Sequence, residues 1–131
     1  MAKTDSSGAA EYPFVPFLAL DTLWFQVAGT ICNLQCTHCF VSCSPSNHSL
    51  GMLSLEEVRR RLAEAAALGV REYYFTGGEP FLNPDLLRML EETLRQGPAT
   101  VLTNGVLLPP DRKQCTARVQ TRHVLRSGVA C

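Results

Sequence analysis

The architecture of this 131-residue chain is set by Val70-Arg71-Glu72-Tyr73-Tyr74-Phe75-Thr76, which runs directly into Gly77-Gly78-Glu79-Pro80. The branched and aromatic residues of the first part predict a β-strand, and the two glycines predict that the strand ends in a turn. A segment with helical spacing of apolar residues lies on each side. We therefore expect this strand to be the middle strand of a βαβαβ unit.

The segment before the strand carries both helix-boundary signals. Ser54 and Glu57 form a capping-box pattern, in which each side chain satisfies a backbone N–H near the helix start. Gly69 predicts the C-terminal stop. Between them an apolar stripe recurs at helical spacing and predicts one buried face, formed by Leu55, Val58, Leu62, Ala65 and Ala66.

The segment after the strand predicts a second helix. Asn83 is the expected N-cap, with Pro84 at the first helical position, where a missing N–H costs nothing. Gly97-Pro98 is the expected stop, and the buried face is predicted to consist of Leu86, Leu87, Leu90 and Leu94.

Two further strands, Leu23–Ala28 and Ala99–Thr103, complete the alternation of strands and helices. Trp24 and Phe25 are both expected to pack in the core. Strands that alternate with helices of this length favour right-handed crossovers and a parallel sheet. The predicted fold class is therefore α/β, with a parallel βαβαβ unit.

Three cysteines lie close together just after the first predicted strand. Cys32, Cys36 and Cys39 have the spacing C-x3-C-x2-C, so their thiolates can face a common metal centre. An iron–sulfur cube normally takes four cysteines, and three would leave one iron open. Because an open coordination position distinguishes reactive metal centres from structural ones, the spacing indicates chemistry.

The polar motifs share one position in the predicted topology. The cysteine loop, Glu79 and Asn104 each follow the C-terminal end of a strand. In α/β barrels this is the face on which active sites are built. We therefore expect Cys32, Glu79 and Asn104 to approach one region.

Composition narrows the class of protein. A length of 131 residues suits one domain, 46% hydrophobic residues is ordinary for a globular chain, and the formal net charge is zero. There is no convincing signal peptide or spanning segment, so a reducing, cytoplasmic location is expected and clustered cysteines favour metal over disulfides. Arginines and a lysine make the end of the chain basic, but no clear nucleic-acid site follows from them.

Three passages of the sequence contain the cysteine loop, Glu79 and Asn104. They are Cys32-Asn33-Leu34-Gln35-Cys36-Thr37-His38-Cys39-Phe40, then Tyr73-Tyr74-Phe75-Thr76-Gly77-Gly78-Glu79-Pro80, then Val101-Leu102-Thr103-Asn104-Gly105. All three resemble motifs of the radical S-adenosylmethionine (radical SAM) superfamily, and they occur in the same order as in that family. The resemblance covers residues 23–108. It implies about half of a partial (βα)6 TIM-like barrel, between a flexible leader (residues 1–22) and an unpatterned tail (residues 109–131), so the chain is expected to be truncated.

The resemblance also implies cofactors and an activity. The cofactors are a [4Fe-4S] cluster on Cys32, Cys36 and Cys39, and S-adenosylmethionine held at the open iron. Reductive cleavage of S-adenosylmethionine would yield a 5′-deoxyadenosyl radical that abstracts hydrogen from an unknown substrate, with a lean towards a peptide or protein. An external electron donor is implied as a partner. The expected cofactor-binding residues are His38, Phe40, Gly77, Gly78, Glu79 and Asn104.

Alternatives remain open from the residues themselves. Cys43 could complete four thiolates, which suits a closed zinc site or a non-catalytic electron-transfer cluster. His38 could act as a ligand in a mixed site. The chain could also be an inactive truncated product. Cys115 and Cys131 have no assigned partner.

Overall fold

A three-stranded parallel sheet with two crossover helices forms the centre of the computed structural model, which describes residues 16–108. The sheet order is β1-β2-β3, so the strand that leads into Gly77-Gly78 is the middle one, as expected. The predicted α/β class and parallel βαβαβ unit are confirmed. The elements are β1 (Thr22–Gln26), α1 (Leu55–Leu68), β2 (Glu72–Thr76), a 3-10 turn (Pro80–Leu82), α2 (Leu86–Thr93) and β3 (Ala99–Val101).

The two faces of the sheet differ in burial. Phe25, Phe75 and Val101 are aligned across the three strands and belong to the same buried core as the apolar side chains of α1 and α2. Trp24 points to the opposite face, where it stacks on Tyr74 at 4.5 Å and stays 54% exposed. The prediction of a core position is therefore right for Phe25 and wrong for Trp24, because successive strand residues point to opposite faces.

Helix α1 follows the predicted boundaries. Ser54 and Glu57 form the capping box, and Gly69 ends the helix in the left-handed conformation with φ 78°. The buried apolar face of α1 is narrower than predicted, since Ala66 is exposed. The buried side chains are Val58, Leu62 and Ala65.

Helix α2 begins later than predicted. The α-helix is counted from Leu86, after Asp85. The Asn83 Oδ1 nevertheless accepts the Asp85 N–H at 2.9 Å, which is the bond that an N-cap asparagine makes when Pro84 is the first helical position. The Asn83 NH2 donates to the carbonyls of Val27 at 2.8 Å and Leu53 at 2.9 Å, so the same side chain also satisfies buried carbonyls.

Other predictions about the second helix and the strands need smaller corrections. Leu87 is exposed rather than buried, whereas Met89 is fully buried. The helix ends at Thr93, before Gly97. Strands β1 and β3 end earlier than predicted, and β2 begins later than predicted.

Within residues 16–108 no helix is long and apolar enough to cross a membrane. Most of the predicted leader, and the predicted tail with Cys115 and Cys131, lie outside the described residues. The domain boundaries therefore stay predictions.

Candidate functional site

The cysteine loop is closed at its base by an isolated parallel bridge between Ile31 and Ser44. The Cys32 N–H donates to the Ser44 carbonyl at 3.3 Å, and the Ser44 N–H donates to the Thr30 carbonyl at the same distance. We call this bridge between Ile31 and Ser44 the neck of the cysteine loop. The chain enters it through Gly29, where a φ of 57° and close packing against the Leu50 carbonyl leave no room for a side chain. Backbone hydrogen bonds therefore fix the position of Cys32 at the start of the loop.

The turn after β2 packs directly against this neck. The Gly78 N–H donates to the Gly29 carbonyl at 3.0 Å, and the Glu79 N–H donates to the Ile31 carbonyl at 3.1 Å. A Cβ atom on Gly78 would overlap the carbonyl group of Ile31, and one on Gly77 would collide with Ala28. The close approach that these glycines permit is thus made to the protein's own backbone, and their predicted contact with S-adenosylmethionine stays a prediction.

Glu79 is a fully buried carboxylate with a complete set of donors. Its Oε1 accepts the Phe81 N–H at 3.1 Å and the Thr103 hydroxyl at 2.7 Å, and its Oε2 accepts the Asn104 N–H at 3.0 Å. These bonds compensate the removal of the charge from water. The carboxylate therefore fastens the turn after β2 to the segment after β3, and its predicted role towards the cofactor stays a prediction.

Asn104 reaches across to the cysteine loop. Its Nδ2 donates to Asn33 Oδ1 at 2.8 Å and lies 3.8 Å from Cys32 Sγ. The structure therefore brings Cys32, Glu79 and Asn104 together at the C-terminal ends of the strands, as the topology predicted. Sequence reasoning missed Asn33, because nothing local marks it as the partner of a residue 71 positions away.

The three predicted cluster ligands lie on this one loop. Cys32 Sγ accepts the Leu34 N–H at 3.5 Å, and Cys39 Sγ accepts the Cys43 N–H at 3.2 Å. Cys32 is buried, whereas Cys36 and Cys39 are partly exposed. Cys32 and Cys39 thus each have a backbone N–H donor within the loop.

The donor set fits an iron–sulfur group in its chemistry, since cysteine thiolates are the ligands such clusters take. In the part of the chain that the structure describes, however, no three His, Cys, Asp or Glu side chains are grouped so that they could hold a single metal ion. The cysteines share a loop without being gathered around one point. The assignment of Cys32, Cys36 and Cys39 as ligands accordingly stays a prediction.

Cys43 differs from the other cysteines of the loop. It is 4% exposed, and its Sγ lies 3.6 Å from the Val41 carbonyl oxygen. Burial raises the pKa of the Cys43 thiol from 9.0 to about 11, and the Cys39 sulfur contributes in the same direction. At neutral pH Cys43 is therefore a protonated, packed thiol in this structure.

The remaining predicted cofactor residues lie on the outside of the loop. His38 is exposed, and Phe40 is fully exposed. Neither side chain contributes to the buried network around Glu79. Their predicted contacts with the cofactor stay predictions.

The comparison with known protein families identifies the class of this protein. The Radical SAM superfamily model matches residues 27–115, which is more than half of the chain, so the chain belongs to the Radical SAM superfamily. The recognition made from the three motifs is confirmed. The family fold implies that the three-stranded sheet is part of a TIM-like barrel.

Individual relatives match only part of their own length. The chain is 39% identical over 80 residues to a GTP 3',8-cyclase of Chlorobaculum tepidum, covering 59% of this chain and 24% of the relative. It is 36% identical over 89 residues to an AdoMet-dependent heme synthase of Methanosarcina barkeri, covering 67% and 25%. It is 33% identical over 104 residues to the antilisterial bacteriocin subtilosin biosynthesis protein AlbA of Bacillus subtilis, covering 79% and 21%.

The chain thus spans about a quarter of the length of these relatives. Enzymes of the family use a [4Fe-4S] cluster and S-adenosylmethionine, so the cofactor prediction is confirmed at the level of the family.

Proposed function

We propose that residues 23–108 form the N-terminal part of a radical SAM catalytic domain. In this proposal Cys32, Cys36 and Cys39 hold the cluster, and S-adenosylmethionine binds beside them. The observation that carries the proposal is that the segments after β2 and β3 both contact the start of the cysteine loop. The backbone of Gly78 and Glu79 bonds to Gly29 and Ile31. The Asn104 side chain contacts Asn33 and Cys32. Such convergence at the C-terminal strand ends matches the place where barrel enzymes build their sites.

When bound and reduced, these two groups, the cluster and S-adenosylmethionine, would supply the 5′-deoxyadenosyl radical chemistry by which a hydrogen atom is removed from a substrate. The chain's own residues bind and orient these groups. Cys32, Cys36 and Cys39 would hold the cluster, and Gly77, Gly78 and Glu79, which follow β2, would lie on the side of the loop where S-adenosylmethionine would bind. His38 and Phe40 are exposed on the cysteine loop, where they are available to the adenine.

Substrate and partners belong to the same proposal. We favour a peptide or protein substrate, which the similarity to a bacteriocin biosynthesis protein supports and the similarity to GTP 3',8-cyclases does not. An external electron donor is needed to reduce the cluster. A reducing, cytoplasmic compartment suits free thiols at Cys32, Cys39 and Cys43.

A closed four-cysteine module is the second candidate, because Cys43 is adjacent to Cys39 through the 3.2 Å N–H···S bond. Its buried thiol favours a packing role instead, since the Cys43 side chain is enclosed while Cys36 and Cys39 remain partly exposed. The third candidate, an inactive fragment, differs from the first only in lacking a working cofactor site.

Anaerobic iron–sulfur reconstitution of the full chain distinguishes these candidates. We expect about four irons per chain and an EPR signal of the reduced protein that changes when S-adenosylmethionine is added. Cys32→Ala, Cys36→Ala and Cys39→Ala should each lose the cluster, and Cys43→Ala should retain it. Loss of the cluster in Cys43→Ala would support the four-cysteine module, and absence of iron from the unaltered chain would support the inactive fragment.

A further inference from the structure

We infer that Asn104 is a positioning residue for the ligand Cys32: its side-chain amide donates an N–H···S bond to the Cys32 thiolate and thereby raises the reduction potential of the cluster. This inference rests on the proposed function, because it requires Cys32 to bind iron. It differs from the predicted role of Asn104 as a residue that contacts S-adenosylmethionine.

Two acceptors lie within reach of the Asn104 amide nitrogen. Asn104 Nδ2 donates to Asn33 Oδ1 at 2.8 Å and has Cys32 Sγ at 3.8 Å. A primary amide carries two hydrogens, so one nitrogen can serve both acceptors. Asn33 therefore anchors the amide beside the sulfur.

The orientation of the Asn104 amide is determined by its surroundings. Its Oδ1 accepts the Val106 N–H at 3.0 Å, which requires oxygen rather than nitrogen at that position. A flipped amide would place its oxygen against Asn33 Oδ1 and its NH2 against the Val106 N–H. The Asn104 backbone is held as well, because its N–H donates to the buried Glu79 carboxylate at 3.0 Å.

The Cys32 sulfur has a second donor beside Asn104. Its Sγ accepts the Leu34 N–H at 3.5 Å, and it lies 3.8 Å from Asn33 Oδ1, the same oxygen that holds the Asn104 amide. Cysteine binds iron as the thiolate, and hydrogen bonds to a charged acceptor are stronger than those to a neutral one.

Donors to a ligating sulfur favour the reduced cluster, which carries one more negative charge than the oxidised cluster. Hydrogen bonds to the sulfurs are among the features that determine iron–sulfur reduction potentials. Removal of the Asn104 donor should therefore shift the potential to a more negative value. A purely structural role for Asn104 would leave the potential of a correctly loaded cluster unchanged.

The experiment compares the reconstituted chain with Asn104→Ala, Asn104→Asp and Val106→Ala by iron content and by EPR-monitored redox titration. Asn104→Asp keeps the oxygen that accepts the Val106 N–H and replaces the nitrogen donor. Val106→Ala is the matched control, because Val106 is exposed and uses only its backbone N–H in this turn. We expect a more negative potential in both Asn104 variants and an unchanged potential in Val106→Ala.

An unchanged potential in Asn104→Ala at unaltered iron content would overturn the inference and leave the proposed function intact. Absence of iron from the unaltered chain would overturn both. If these Asn104 variants load no iron, Asn104→Ser replaces them, since a serine hydroxyl can accept the Val106 N–H in a similar turn but offers Cys32 no amide donor. A negative shift in Asn104→Ser supports the inference, and an unchanged potential overturns it.

Discussion

The Glu79 carboxylate accepts the hydroxyl hydrogen of Thr103 across 2.7 Å, and both side chains are buried. This bond joins the turn after β2 to the segment after β3. The same glutamate uses its backbone N–H to hold the Ile31 carbonyl at the base of the cysteine loop. One residue thus connects the loops that follow all three strands, so the stability of the chain and the position of Cys32 should depend on it together.

Glu79→Gln should lower the free energy of unfolding by about 2 kcal/mol, because the amide nitrogen would face N–H or O–H donors in a buried position. Urea unfolding of the cluster-free chain measures this difference. Glu91→Gln is the matched control, since Glu91 is exposed on α2. Equal midpoints for the two variants would show that the buried carboxylate does not stabilise the fold.

Gly78→Ala should displace the neck of the cysteine loop. The added Cβ would overlap the Ile31 carbonyl, and backbone atoms cannot move aside as a flexible side chain does. We expect a loss of stability on the order of 3 kcal/mol, together with reduced iron content after reconstitution.

Gly51→Ala is the control for the glycine substitution, because a Cβ on Gly51 meets no atom within 4 Å. It should leave both the urea midpoint and the iron content close to those of the unaltered chain. Normal iron uptake by Gly78→Ala would contradict the proposed dependence of Cys32 on this contact.

Ser54→Ala removes one side chain of the capping box at the start of α1. The Ser54 hydroxyl oxygen accepts the Glu57 N–H at 3.2 Å, and the Glu57 carboxylate accepts the Ser54 N–H at 2.8 Å. Loss of such a cap costs about 1 kcal/mol, measured as a shift of the urea midpoint. Ser46→Ala, in an exposed loop position, should have no comparable effect.

Acid should destabilise the chain partly through Glu57 and Glu92. The Ser54 backbone N–H lowers the pKa of Glu57 below its ordinary 4.5, and the Arg59 guanidinium lowers the pKa of Glu92. A carboxyl group whose pKa is lower in the folded state stabilises that state above its unfolded pKa. This contribution is lost as the pH falls through the lower, folded value.

Urea midpoints measured on the cluster-free chain between neutral pH and pH ~3 test this linkage. The unaltered chain should lose more stability in this range than Glu57→Gln or Glu92→Gln. Glu91→Gln serves again as the control and should keep the steep acid dependence. Parallel acid curves for all four proteins would contradict the assignment.

Signals between residues close together in the sequence determine much of the fold. The capping box of Ser54 and Glu57 and the Gly69 stop act between near neighbours, so the local sequence is enough to predict them. The strand pattern placed the strands but did not distinguish Phe25 from Trp24, because both are aromatic and only the side on which the helices pack separates them. Asn83 shows both ranges of interaction, because its Oδ1 accepts the nearby Asp85 N–H as the capping pattern predicts, whereas its NH2 bonds to carbonyls distant in sequence, which no local pattern indicates.

Motifs and local patterns were enough to identify the family, the parallel βαβαβ order and the position of three cysteines beyond the first strand. The folded chain was needed to show that Gly78 packs on Ile31, that Glu79 takes donors from Thr103 and Asn104, and that Asn33 contacts Asn104. The difference lies in the sequence separation over which each interaction acts. Propensity, capping and cysteine spacing act within a few residues, whereas these contacts depend on strand register and on the direction of side chains that the sheet brings together.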